Sequence, residues 1–222
     1  MIEHSTPSDI ERTSLGIITS ELASMGIAPP DENAAVIKRV IHASADFDYA
    51  ETLCFTEHAC QRIAETLAKG AVIVTDTNMA RAGISAGAMK KLGCEAVCYM
   101  ADPRAAERAK AEETTRAAVS MRIAMEDHPN AVFAIGNAPT ALFELSRLME
   151  DGARPAAVIA VPVGFVNVVE AKEAVFKTCA TFGIPCIAAM GRKGGSTIAA
   201  AVCNALLYTA ADQLDPAKRG WN

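Results

Sequence analysis

The sequence predicts an α/β protein: a single doubly wound three-layer domain with a mostly parallel sheet, preceded by N-terminal helices. Three observations predict it. Five short apolar runs lie at 71–75, 95–100, 131–135, 156–161 and 184–189, without the alternation of a half-exposed strand. Unbroken apolar runs of this length read as strands buried on both faces. Helical stretches at 81–92, 103–126, 139–149 and 171–182 separate them, and strand–helix alternation implies parallel strands joined by right-handed crossovers. Everything before residue 71 reads as helix, with no strand-rich segment.

Taken in order, Thr6-Pro7-Ser8-Asp9 is a helix start. Thr6 is suited to the cap, Pro7 to the first helical position and Asp9 to the capping-box position. This helix runs to about Met25 and stops at Gly26. Its apolar face carries Ile10, Ile17, Ile18, Leu22 and Met25, with Ser14 and Glu21 on the same face. A polar group on a buried face needs a partner. Ser14 therefore either bonds back to its own helix or faces a cleft or subunit interface. Pro29-Pro30 separates a second helix, in which Val36, Ile37, Val40 and Ile41 share one face. Steps of about 100° per residue put His42 opposite that face, with Arg39 one turn back beside it. A third helix is expected over 57–69, and a last one over 197–207.

One domain over residues 1–222 suits the length. Hydrophobic residues make up 51% and mean hydropathy is +0.18, enough for a sizeable core. The net charge of −5 argues against nucleic-acid binding, which needs a clustered basic field. No apolar stretch approaches the roughly 18–20 residues of a membrane span, so no membrane association is expected. The segment 1–8 lacks the features of an export signal, and a cytoplasmic location is expected. Seven cysteines, an odd number without a C-x-x-C, are expected as reduced, buried packing groups and not as a disulfide framework. The cluster Cys54-Phe55-Thr56-Glu57-His58-Ala59-Cys60 fits no standard zinc spacing, and no metal is expected.

In doubly wound sheets ligands sit beyond the carboxyl ends of the strands. Two of the loops there are distinctive. Gly136-Asn137-Ala138-Pro139-Thr140 leads from strand into helix, and Gly191-Arg192-Lys193-Gly194-Gly195-Ser196 places two cations at a helix N-terminus, which suits an anion. The second matches neither nucleotide-binding glycine pattern, because Lys193 precedes the paired glycines. A plain glycine-rich loop with solvated charges remains the alternative. Imidazole exchanges protons near neutral pH, and a guanidinium beside it can hold an anion. An ordinary solvated His–Arg pair would look the same.

The runs Ala134-Ile135-Gly136-Asn137-Ala138-Pro139-Thr140-Ala141-Leu142-Phe143, Val161-Pro162-Val163-Gly164-Phe165-Val166 and Gly191–Ser196 resemble the precorrin-8X methylmutase family, which includes the cobalt-precorrin-8 methylmutases. Arg39–Phe47 resembles that family's histidine segment, and Glu11-Arg12-Thr13-Ser14 its N-terminal helix. Thr115-Arg116-Ala117-Ala118 resembles its arginine-bearing helix, with Ala117 where the family often has Ser. The resemblance runs in order from about Ile10 to Leu207.

The resemblance implies an isomerase that moves a methyl group from C-11 to C-12 of a corrinoid ring, giving hydrogenobyrinate or its cobalt form, cobyrinate. It implies no cofactor, since the migrating methyl is already on the substrate. It implies His42 as proton donor and acceptor, Ser14 and Arg39 as substrate contacts, and a homodimer holding its ligand where the subunits meet. Arg116, Arg192 and Lys193 are expected to position substrate carboxylates. Small residues Gly136, Ala138 and Gly164 would let backbone approach a flat ligand. The alternative is a tetrapyrrole carrier that binds the macrocycle and does no chemistry.

Overall fold

The computed structural model describes residues 6–219. Of the segment read for an export signal, residues 1–5 lie outside the described part. Helix α1 (Pro7–Ser24) starts as expected: Thr6 Oγ1 accepts the Asp9 N–H at 3.3 Å, and Pro7 takes the first position. Helix α2 (Asp31–Ser44) buries Val36, Ile37, Val40 and Ile41 and ends on left-handed Ala45. The rest of the all-helical N-terminal region needs correcting. A short α3 (Tyr49–Thr52) runs into a strand, β1 (Leu53–Phe55), and the expected 57–69 helix is α4 (Ala59–Leu67).

Five parallel strands occupy the five apolar runs: β2 (Val72–Thr75), β3 (Glu95–Val97), β4 (Val132–Ile135), β5 (Ala157–Ala160) and β6 (Cys186–Ala189). The sheet order is β1-β6-β5-β4-β2-β3, with β1 antiparallel on the β6 edge. The strand order therefore reverses between β2 and β4, the crevice where such sheets take ligands.

Two expected helices are each broken in two. In place of 81–92 stand α5 (Asn78–Gly83) and α6 (Ala86–Leu92). Ser85 caps α6 through Ala88 N, and Asn204 stitches the break by accepting from Ser85 N and donating to Gly83 O. In place of 103–126 stand α7 (Pro103–Ala111) and α8 (Arg116–Asp127). Glu113 turns left-handed between them, and Thr115 caps α8. Helices α9 (Pro139–Glu150), α10 (Val168–Thr181) and α11 (Ser196–Ala210) follow as expected, and a 3-10 turn covers Pro216–Arg219.

One face of the sheet, with Ile73, Val132, Ile159 and Ile187, packs under α11 and the helices around it. The other, with Val74, Phe133, Val158 and Ala188, packs on α8, α9 and α10. These are the three layers. Helix α1 lies outside α2 and is tied down at one end by the 3-10 turn. Cys60, Cys179, Cys186 and Cys203 are buried packing groups; Cys54, Cys94 and Cys98 are half-buried. No described helix is long and apolar enough to cross a membrane.

Candidate active site

Two polar rungs, one helical turn apart on both helices, join α1 to α2. The inner rung is Arg39 to Glu11, an ion pair that is largely buried. Glu11 is shared with Arg219, whose Nη1 lies 2.6 and 2.8 Å from its two oxygens. Both guanidiniums lie against the Tyr208 ring. Burial pushes the Glu11 carboxyl up, but the Arg219 and Arg39 hydrogen bonds outweigh it and hold it below its ordinary value. The outer rung is Ser14 Oγ to His42 Nδ1, 2.9 Å. Ser14 thus bonds across the helix pair and not back to its own helix. His42 is solvent-accessible, and its Nε2 has no partner among the described residues. Partial burial, then the Arg39 charge, holds the imidazolium below its ordinary pKa, which favours the neutral ring.

The outer rung opens on a cleft of about 310 Å³ lined by Ile10, Ser14, Ile17, Glu21, His42 and Phe47, among others. Here the expected apolar face of α1 is corrected. Ile18 and Leu22 are buried, but Ile10, Ile17 and Met25 are 53%, 49% and 55% exposed. The face turned to the core carries Glu11 and Ser8 as well.

At the carboxyl ends of the strands the loops are sewn to one another. Asp76, buried after β2, accepts the N–H groups of Gly136, Asn137 and Ala138 at 2.8, 2.8 and 2.7 Å. Desolvation raises its pKa although those three bonds oppose the rise. The crevice between β2 and β4 is therefore filled by the chain's own carboxylate. Gly136 is not left open for a ligand: a Cβ there would lie 2.8 Å from Ser196 Cα, so its bareness serves the packing of α11. The 191–196 loop also differs from a set of free donors and cations. Gly195 N donates to Val161 O, and Lys193 Nζ lies 2.7 and 2.6 Å from carboxylate oxygens of Asp46 and Asp48, just past α2. Those bonds hold the Lys193 ammonium above its ordinary pKa.

The structure thus brings Ser14 and His42 into direct contact, places Arg39 one turn away with its charge met by Glu11, and links Lys193 to the turn after His42. It does not bring Arg116 to them by any contact. Arg116 is exposed at the start of α8, where Thr115 bonds Thr140 of α9 at 3.0 Å, and its guanidinium has no partner among the described residues. Arg192 lies over the exposed Phe165 ring. Sequence reasoning missed Glu11, Asp76, Arg219 and Lys172. An acidic residue directly after an apolar strand run was a visible signal for Asp76; nothing in the pattern around the others marks them.

Residues 9–209 match the family model of precorrin-8X methylmutase. The cobalt-precorrin-8 methylmutase of Salmonella typhimurium is 44% identical over 175 residues, covering 78% of this chain and 80% of that protein. The cobalt-precorrin-8 methylmutase of Priestia megaterium is 41% identical over 201 residues, 90% of this chain and 87% of the relative. The crystal structure of precorrin-8x methyl mutase from Thermus thermophilus superposes with a TM-score of 0.82 at 35% identity, over 91% of this chain and 98% of that one.

Proposed function

The chain belongs to the precorrin-8X methylmutase family and is an isomerase of cobalamin biosynthesis, and from that premise we propose that it moves a methyl group from C-11 to C-12 of precorrin-8X or cobalt-precorrin-8, with His42 as proton donor and acceptor. The observation that carries this reading is the Ser14–His42 hydrogen bond at the mouth of an apolar cleft. One carbon–carbon bond breaks and one forms within the substrate, so no methyl donor or redox cofactor is consumed. What the protein supplies is a rigid, shaped cleft and a proton held at a ring nitrogen.

In this reading Ser14 donates its hydroxyl proton to Nδ1. That fixes the tautomer with hydrogen on Nε2, the nitrogen that faces the macrocycle. The Nε2–H shares its proton with a ring nitrogen through a hydrogen bond as the π-system rearranges and keeps it afterwards, so no imidazolate is left behind. A neutral imidazole suits this role, because it donates at Nε2 while it accepts at Nδ1. The substrate carboxylates fall to Arg39, Arg116 and Lys193. Arg116 offers the freest charge; Arg39 binds with donors that Glu11 leaves over, and Lys193 by exchanging one of its two Asp partners for the substrate. The enzyme works as a homodimer in the cytoplasm, the second copy completing the cleft.

The test is incubation with precorrin-8 or cobalt-precorrin-8 while the visible spectrum is followed. A change of chromophore without NAD(P)H is expected. A chromophore that binds and stays unchanged would make the protein a carrier and sink the reading. Running the metal-free and cobalt forms side by side shows which one the protein prefers.

A further inference from the structure

Lys172 is 0% exposed, on α10, and has no carboxylate partner among the described residues. Its Nζ donates to two loop carbonyls, Gly191 O at 2.9 Å and Lys193 O at 2.8 Å. A buried ammonium without a counter-ion is costly to desolvate, and it stands near the helix end where the dipole disfavours a cation. Apolar packing alone would be served better by Met. The loop it grips needs holding. Gly194 lies so close to β5's continuation that a Cβ would stand 2.2 Å from Val161 O, and glycine-rich backbone loses the most entropy on ordering. Among the described residues Lys172 is the only side chain bonded to the backbone of 191–195. With carbonyls 191 and 193 turned inward to Lys172, Lys193 reaches the other way, to Asp46 and Asp48. Those two stand just past the last turn of α2, which carries His42.

We propose that Lys172 is a positioning residue for the methyl shift: it fixes the 191–195 loop from beneath, and the loop, through Lys193, Asp46 and Asp48, fixes the end of α2 that presents His42. The amine has no route to the cleft and takes no part in bond making. Burial pulls its pKa down to about 8, which leaves it mostly protonated, with three donors, near neutral pH.

The kinetic part of this proposal rests on the methylmutase reading; the structural part does not. Lys172→Met keeps the buried volume and removes the donors. Hydrogen exchange on the free protein is expected to speed up about tenfold at 191–196 and 44–48, and nowhere else. With cobalt-precorrin-8, kcat is expected to fall about tenfold or more with KM within about threefold, because a small misplacement of a reacting group costs rate before affinity. Adding Asp46→Asn and Asp48→Asn, which cut the far end of the linkage, should then cost little more. Exchange at the wild-type rate in both segments, or kinetic losses that add in full, overturns the proposal. If the wild-type chain converts no substrate, the methylmutase reading falls, and the exchange pattern still decides the linkage. Should Lys172→Met fail to fold, Asp46→Asn/Asp48→Asn at the outer end is measured instead: faster exchange at 44–48 with the same loss of kcat supports the linkage, and wild-type values overturn it.

Discussion

At the scale of single residues, the neutral state of His42 fixes what its removal should do. The side chain stands away from the buried Val36, Val40 and Ile41, so His42→Ala opens no core cavity and melting should hardly change. Loss of general acid–base help costs a factor of about 10² to 10⁴. His42→Asn keeps a donor but moves no protons near pH 7, so it should be nearly as inactive; wild-type single-turnover rates in that variant would remove His42 from the chemistry. The pH profile follows with its sign. Burial and Arg39 lower the His42 pKa from 6.5, so kcat/KM should fall toward acid pH along a limb centred below 6.5. A limb centred above 6.5 would contradict the assignment. The position of His42 was legible, because a helical projection tells which side of a helix a residue takes. Its partner was not, since periodicity says nothing about what stands across from that side. Lys172 was the least legible: Glu170-Ala171-Lys172-Glu173 reads like a solvated helix face, and only the arrival of the 191–195 loop turns it into an interior.

At the scale of elements, the docking of α1 rests on one carboxylate between two guanidiniums. Glu11→Gln takes the counter-charge from Arg39 in a largely buried setting. Breaking such a pair from one side costs about 3–5 kcal/mol, which should appear as a fall in melting temperature of roughly 6–20 °C at this chain length. The acid response has a definite direction. The folded Glu11 pKa is lowered from 4.5, so its stabilisation is complete above that unfolded value and is lost as pH falls through the folded one. Below pH 4.5 the wild type should lose stability more steeply than Glu11→Gln; parallel curves would show that Glu11 does not anchor α1. Elements were legible where sequence carries its own signal. The five parallel strands announced themselves because burial on both faces demands unbroken apolar runs. Strand β1 has three residues and draws its hydrogen bonds from β6, so its existence is a tertiary fact. The helix breaks at Ser85 and Thr115 rest on single capping side chains, a local signal that a count of apolar spacing passes over.

At the scale of the whole molecule, the open question is what covers the outer face of α1. Ile10, Ile17 and Met25 are each about half exposed, and Ile10 and Ile17 also line the cleft that holds His42. The apolar face expected of α1 is split in the fold of one chain, which buries its Ile18 and Leu22 side and leaves Ile10, Ile17 and Met25 outside. A volume of about 310 Å³ is at the low end for a drug-sized ligand, and a four-ring macrocycle with its carboxylate arms is larger. In the proposed homodimer a second copy laid against α1 would answer both the exposed apolar stripe and the undersized cleft, covering the one and walling the other. Light scattering at micromolar concentration should then give twice 23.3 kDa. Ile17→Asp puts a charge into the contact and should yield a folded monomer, its helix content unchanged, with corrinoid binding reduced at least tenfold. Arg116→Ala should weaken binding by a comparable factor without altering mass, and its effect should shrink as salt rises, because exposed charge pairs are screened. The two variants separate the contributions: one removes the wall, the other a hold on the substrate. A wild-type chain that runs as an active monomer would leave the α1 stripe to some other partner and return the cleft to a single subunit.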